Sequence, residues 1–227
     1  LGMSYGVYDF HGRDDFASET ESSSLEEQLF ITAGVFKHCK SSSVCTADRI
    51  SWGLVYDRMI SDNTSPCTAE LSLGQFRGQI GYACDANDEV GLWGSITDGS
   101  DDSFSCLGAK HTTRSIDQIS LYWDHIWCAT ADTRFYVGIA ENPGEFVVGS
   151  NAQFPLNNYC ALFGGFHYIL PSTSGGDPGF RDEIWSVSAG IAFYPGGNAI
   201  AKTVCGNPWL PLMPVADNGN FALDLGF

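Results

Sequence analysis

The sequence predicts an all-β chain: one antiparallel up-and-down β-barrel of about 10 strands crossing a membrane, with 12 the second choice. Three observations carry this. The chain is a succession of runs rich in Val, Ile, Phe, Tyr and Trp, separated by breaks rich in Asp, Ser, Gly and Asn. The runs are about 9 to 13 residues long, the length of tilted membrane strands, where strands of soluble proteins average nearer 5 or 6. Most of them carry apolar residues on one face and Gly, Ser, Ala, Gln or Asp on the other, as a wall between lipid and a small polar lumen requires. The same pattern also fits a secreted soluble β-sandwich with one wet face.

Taken in order, residues 2–10 open with alternation in which Gly marks the second face. Residues 27–38 follow, and in 49–60 Ile50, Trp52, Leu54 and Tyr56 oppose Ser51, Gly53 and Asp57. Residues 71–84 switch their apolar side midway, which predicts a bulge or a strand leaving the membrane. After 89–97 comes 115–127, where Ile119, Leu121, Trp123 and Trp127 oppose Gln118, Ser120, Tyr122 and Asp124. Residues 133–140 and 145–154 are joined across Pro143-Gly144, a type II turn pair. Residues 159–170 are apolar on both faces, relieved by Gly164, Gly165 and His167. In 183–194, Trp185, Val187, Ala189, Ile191 and Phe193 share one side against Ser186, Ser188, Gly190 and Ala192. Finally Phe221, Leu223, Leu225 and Phe227 share one face of 220–227, the habit of a closing barrel strand. Trp and Tyr gather near run ends, as in interfacial aromatic belts. The connections 11–26, 98–114 and 171–182 are long, acidic and Ser/Gly-rich, and read as external loops.

Between the last two runs lie Pro208, Pro211 and Pro214, with Pro195 just before. This stretch lacks the amide donors of a central strand, so it is expected to cross, plug or wrap the barrel. The reading is a single domain over residues 1–227, with 199–227 a Pro-rich crossing followed by a strand or docked tail. No run of about 18 apolar residues marks a transmembrane helix, and no signal peptide is recognisable. The first residue is Leu1 rather than Met, as in a processed or trimmed chain.

Eleven Lys and Arg against 27 Asp and Glu give a net charge of −16, which argues against nucleic acid as a partner. Eight cysteines suit an oxidising compartment. Cys39 and Cys45 bracket a short polar loop and are expected to pair, the other six being unassignable from sequence.

Chemistry-bearing patterns are sparse. His11, His38, His111, His125 and His167 show no metal-ligand spacing. The adjacent Asp124 and His125 fall on opposite faces of a strand and cannot form a dyad. Glu141, Glu145 and Glu183 would serve glycoside hydrolysis only if the fold gathered them, and turn acids are the simpler reading. The acidic stretches 85–89 and 98–102 do not fit a calcium loop. Asn63-Thr-Ser is a formal glycosylation triplet. No cofactor, metal or catalytic residue is expected, and the chain is read as a non-enzyme.

Phe193-Tyr-Pro-Gly-Gly-Asn, the segment from Asn207-Pro-Trp-Leu-Pro to Asn220-Phe221, and the stretch from Pro155 to Pro171 resemble uncharacterised planctomycete cell-envelope proteins. The resemblance covers roughly residues 81–227 and implies an outer-membrane or envelope β-barrel with no assigned activity.

The expectation is therefore an outer-membrane or envelope barrel with a structural or assembly-forming role, or a narrow pore. Ser51, Gln118, Ser120, Asp124, Ser186 and Ser188 would line its lumen. Trp52, Trp123, Trp185, Ile191 and Phe193 would face lipid. The partners would be the bilayer and further copies in a homo-oligomer or envelope assembly. The alternative is a soluble β-sandwich that binds carbohydrate or hydrolyses glycosides.

Overall fold

The computed structural model describes residues 1–9, 25–40, 46–64, 69–100, 102–106, 109–127, 130–140, 145–170, 184–197, 199–206 and 209–226. It is all-β, with one short 3-10 turn at Thr46–Arg49 and no α-helix among the described residues. The strands are β1 (Gly2–Asp9), β2 (Leu25–Lys37), β3 (Ile50–Thr64), β4 (Ala69–Ala83), β5 (Asp88–Thr97), β6 (Asp102–Cys106), β7 (Ala109–Ser115), β8 (Gln118–Ile126), β9 (Asp132–Ala140), β10 (Phe146–Pro155), β11 (Cys160–Leu170), β12 (Ile184–Phe193) and β13 (Leu223–Gly226). Ten of them form one antiparallel sheet in the order β1-β2-β3-β4-β5-β8-β9-β10-β11-β12. It curves into a half-barrel; among the described residues no ladder joins β1 to β12.

The register makes the two faces of the sheet easy to follow. One row across the sheet runs Trp52, Ile80, Leu92, Leu121, Val137, Val148, Tyr168, Trp185. Apart from a half-buried Tyr168 its members are exposed on the convex side. One residue along, the row Ser51, Gly81, Gly91, Tyr122, Tyr136, Gly149, His167, Ser186 points to the concave side. The tyrosine rings lie over the glycines of neighbouring strands: a Cβ on Gly91 would come within 2.7 Å of the Tyr122 ring, so only glycine fits beneath it.

The concave side is filled by the chain's own C-terminal segment. Ala199, Ala201, Val204, Leu210, Met213, Ala216, Phe221 and Ala222 are all buried. At one end, Ala201, Val204 and Leu210 pack with Cys39, Ala83 and Ile126. At the other, Phe221 and Ala216 pack with Phe30, Met59, Leu71 and Leu73. Between them Ala222 joins Trp93, Tyr122, Tyr136, Val147 and Ile169. Gly197, at φ +69°, makes the turn that leads out of β12 into this segment, its amide donating to Tyr194 O at 2.9 Å.

Several expectations are corrected. Cys39 pairs with Cys205, 166 residues away with Cα atoms 4.9 Å apart, and not with Cys45, which lies outside the described residues. The local loop is closed by other means: Lys40 N–H donates to Asp48 O at 2.6 Å, and the inward-turned Cys39 meets the returning C-terminal segment. Cys84 and Cys160 carry free thiols. Residues 220–226 do not close the large sheet, and Phe227 lies outside the described residues. β13 pairs with β7 in a separate three-stranded sheet, β13-β7-β6, while Phe221 is pulled inside. The connection expected as a loop over 98–114 thus contains the β6–β7 hairpin, whose Asp-Ser-Phe-Ser-Cys and Ala-Lys-His-Thr-Thr-Arg-Ser lack the apolar alternation that betrays the other strands. Finally, β4 has no bulge at its apolar switch. Its inward face runs unbroken from Leu71 and Leu73 through Gln75, Arg77 and Gln79, and the register shift lies at the end of β3, between Ser61 and Thr64. The switch marks where the interior changes from the Phe221 cluster to a polar zone.

Candidate functional site

The polar half of the interior is built around two arginines. Arg77 of β4 and Asp57 of β3 face inward on neighbouring strands, and both are essentially removed from solvent. The guanidinium grips both carboxylate oxygens, with Nη2 at 3.0 Å from Oδ1. Thr32 Oγ1 donates to the same Oδ1 at 2.6 Å, and Gln75 Nε2 to Oδ2 at 3.2 Å. A bidentate pair with its remaining lone pairs satisfied is the arrangement that lets two charges be buried together.

This ion pair also holds the interior segment. Arg77 Nη2 donates to Pro214 O at 2.9 Å, Gln75 Nε2 to Asn220 O at 2.9 Å, and Ala216 N–H to Thr32 Oγ1 at 3.0 Å. Proline leaves its carbonyl unmatched by an amide of its own, and the wall supplies the donor. Ser186 Oγ and Ser188 Oγ of β12 donate to Asn218 O at 3.1 Å and Asp217 Oδ2 at 3.0 Å.

The second arginine, Arg134 of β9, bonds Asp124 Oδ2 of β8 through Nη2 at 2.7 Å and Gln79 Oε1 through Nη1 at 2.9 Å. Its guanidinium carbon stands 4.3 Å from the centre of the Tyr122 ring. Glu89 completes the zone, accepting from Ser51 Oγ at 2.7 Å and Tyr122 Oη at 2.6 Å. A cavity of about 50 Å³ between this group and the C-terminal segment is lined by His38, Glu89, Asp124, Asp132, Arg134 and Leu210. A smaller one, about 20 Å³, lies on the other side of Arg134 against Arg77, Gln79 and Asn220. These are spaces for one or two waters. Among the described residues no three His, Cys, Asp or Glu side chains converge as metal ligands.

The structure places Ser51, Gln118, Ser120 and Asp124 on the concave wall, all buried, and Ser186 and Ser188 there too, half-buried beneath the C-terminal segment. Ser51 and Asp124 belong to the Arg134 group, whereas the Gln118 side-chain amide and the Ser120 hydroxyl find no hydrogen-bond partner among the described residues. Trp52, Trp123, Trp185, Ile191 and Phe193 stand on the convex face, from 42% exposed for Trp123 to 69% for Ile191. Asp124 and His125 point to opposite faces: His125 Nδ1 lies 2.9 Å from Asp88 Oδ1 on the outside, where Trp123 Nε1 donates to the same oxygen at 2.7 Å. Glu141 and Glu183 lie outside the described residues.

Sequence reading did not single out Arg77, Arg134 or Tyr136, and it met Glu89 only in an acidic stretch and His167 only as a polar break in an apolar run. Their signal was present: a charged or aromatic residue on the Gly/Ser face of an alternating strand has nowhere to point but the interior. His167 is fully buried, its Nδ1 3.0 Å from Tyr136 Oη.

These features define a class: a curved antiparallel sheet, apolar outside and polar within, bent around its own C-terminal segment. The chain belongs to the family of unknown function DUF6666, which it matches over residues 1–223. No curated protein and no solved structure matches it.

Proposed function

We infer that the protein is a membrane-spanning β-barrel of the cell envelope, plugged by residues 199–222, with a structural or assembly-forming role and no catalytic step. The observation that supports this most is the inversion of the two faces. The side bearing Ile80, Leu92, Leu121, Val137, Ile191 and Phe193 is exposed, while Asp57, Gln75, Arg77 and Glu89 are buried. In water, so wide an apolar surface is a liability, since soluble monomers rarely expose contiguous apolar patches of more than a few hundred Å². In a bilayer it is the expected wall. A soluble sandwich would instead cover this face with a second sheet, and among the described residues the three-stranded sheet is the only other one. The outer membrane, reached by export and consistent with a disulfide, is the location we assign. Occupation of the interior by the C-terminal segment favours a plugged scaffold over an open pore.

Migration in a detergent gel tests the reading. The native protein extracted from membranes is expected to run as a compact band when unheated and to shift on boiling. A protein that stays monodisperse without detergent, with no heat shift, overturns the reading.

A further inference from the structure

Asp124 of β8 and Asp132 of β9 are diagonal neighbours on the concave face, Asp124 standing opposite Arg134 and Asp132 opposite Ile126. Arg134 reaches only one oxygen of Asp124: Nε at 3.2 Å and Nη2 at 2.7 Å both donate to Oδ2. The other oxygen, Oδ1, is buried and receives no N–H or O–H from any described group, and the same holds for Asp132 Oδ1. Asp124 as a whole is 8% exposed. The two acids instead hydrogen-bond each other. Ionised carboxylates only accept, so a bond between two of them exists only where one keeps its proton.

Charge balance requires the same proton. The cavity of about 50 Å³ beside the pair is bordered by three carboxyls, those of Glu89, Asp124 and Asp132, and by the guanidinium of Arg134, with no lysine among its lining residues. The other titratable groups around it are committed elsewhere. Tyr122 Oη donates to Glu89 and Tyr194 Oη to Gln153, and His125 faces Asp88 on the outer side. His38 Nε2 lies 2.7 Å from Leu210 O, which only accepts, so that nitrogen carries a hydrogen, while Nδ1 is buried without a partner. Two touching carboxylates out of water, with one arginine between them, repel strongly, and one shared proton removes the repulsion.

The C-terminal segment forms the cover of this cavity, through Ala201, Thr203, Val204 and Leu210. Three ties hold the cover down: the Cys39–Cys205 bond, Val204 N–H to Ala86 O at 3.0 Å, and His38 to Leu210 O. A second negative charge beneath it needs more water than a space for one or two molecules admits. We infer that Asp124 and Asp132 hold one proton between them, and that this proton latches the disulfide-tied end of the interior segment, which opens to water when alkaline pH removes it. The disulfide then acts as a tether while the backbone around it lifts. The far end, held by Arg77 at Pro214 O and by Phe221 in its own cluster, stays in place. The latch rests on the interior alone and holds whether the convex face meets lipid or water.

Infrared spectroscopy and limited proteolysis of the 227-residue chain test it together. At neutral pH the wild type is expected to show the carbonyl stretch of a protonated carboxylic acid, shifted in deuterium oxide. The band is expected to weaken in Asp132→Asn, whose amide donates to Asp124 in place of the proton. Cleavage within residues 199–210 is expected to rise about tenfold or more from about pH 6 to about pH 10 in the wild type and to stay flat in Asp132→Asn, with cleavage beyond residue 215 unchanged in both. Asp132→Ser, which removes the acid without adding an amide, serves as the second variant. A folded wild type without the acid band overturns the inference, and so does wild-type cleavage that is independent of pH. A rise in the variants equal to that of the wild type assigns the opening to other groups and overturns it as well.

Discussion

Arg77 ties the wall to the interior segment, because it neutralises Asp57 and holds Pro214 O in one geometry. Replacing it by Met keeps the volume but strands a fully buried carboxylate. The expected loss is about 3 to 5 kcal/mol, read from denaturant unfolding in detergent. The double variant Asp57→Asn with Arg77→Met should recover much of it, since the uncompensated charge is then gone. A loss below about 0.5 kcal/mol for Arg77→Met would show the pair to be dispensable. Outside the strands, Asp98 offers a pH-dependent counterpart. Burial works against its charge, but the Ser100 hydroxyl and amide, Tyr56 and Arg58 outweigh it and hold the carboxyl below its ordinary value. A carboxyl lowered in the folded state stabilises it fully above the unfolded value of about 3.9, and that contribution is lost as pH falls through the lower folded value. Wild type should therefore exceed Asp98→Asn in stability at pH 6, and the difference should vanish in strong acid. A difference that persists there would mean that the carboxyl's charge is not what matters. Part of this was legible in the sequence: Asp57 and Asp124 fell on the inward face by alternation alone. Their partners were not, because Arg77 lies 20 residues from Asp57 and Arg134 lies 10 from Asp124, and only the register of β3 on β4 and of β8 on β9 brings them together.

At the scale of elements, ten strands were visible because a two-sided environment writes a period of 2 into most of them, and the two that break it are still long runs bounded by polar breaks. The β6–β7 hairpin was not, since its sequence carries no apolar alternation; β13 was visible as a strand, but its pairing with β7 rather than with the large sheet was not. The C-terminal segment showed only what it is unable to be: its prolines exclude a central strand, while its path through the interior is set by contacts made far away in sequence. The Cys39–Cys205 bond ties the start of that path to the end of β2. A link closing 166 residues removes much of the unfolded chain's freedom, which by loop entropy is worth about 4 to 5 kcal/mol. Cys205→Ser is therefore expected to lower stability by up to that amount and to expose residues 199–210 to protease first. Phe221, buried against Phe30 and Met59, should hold the far end in place under those conditions. If protease instead cuts first beyond residue 215, the disulfide is not the anchor.

For the whole molecule, the sheet's inversion was legible as a pattern of faces, but a pattern of faces does not name its solvent: lipid and a second protein layer both select apolar residues. The structure removes the second layer from the described convex face, and the remaining distinction between lipid and water is energetic. Leu121 sits at the middle of β8, 61% exposed, flanked across the register by Leu92 and Val137. An arginine there touches no interior group and breaks no hydrogen bond. If this face meets water, Leu121→Arg is a surface substitution and changes stability by less than about 0.5 kcal/mol. If it meets the hydrocarbon core, the same change costs about 2 to 4 kcal/mol, and the cost falls toward zero for arginines placed near the strand ends. Unfolding from lipid vesicles should therefore show Leu121→Arg and Val137→Arg strongly destabilised, and Phe154→Arg, one residue from the end of β10, much less so. Equal, small effects at all three positions would place the convex face in water and leave its apolar surface to be covered by protein.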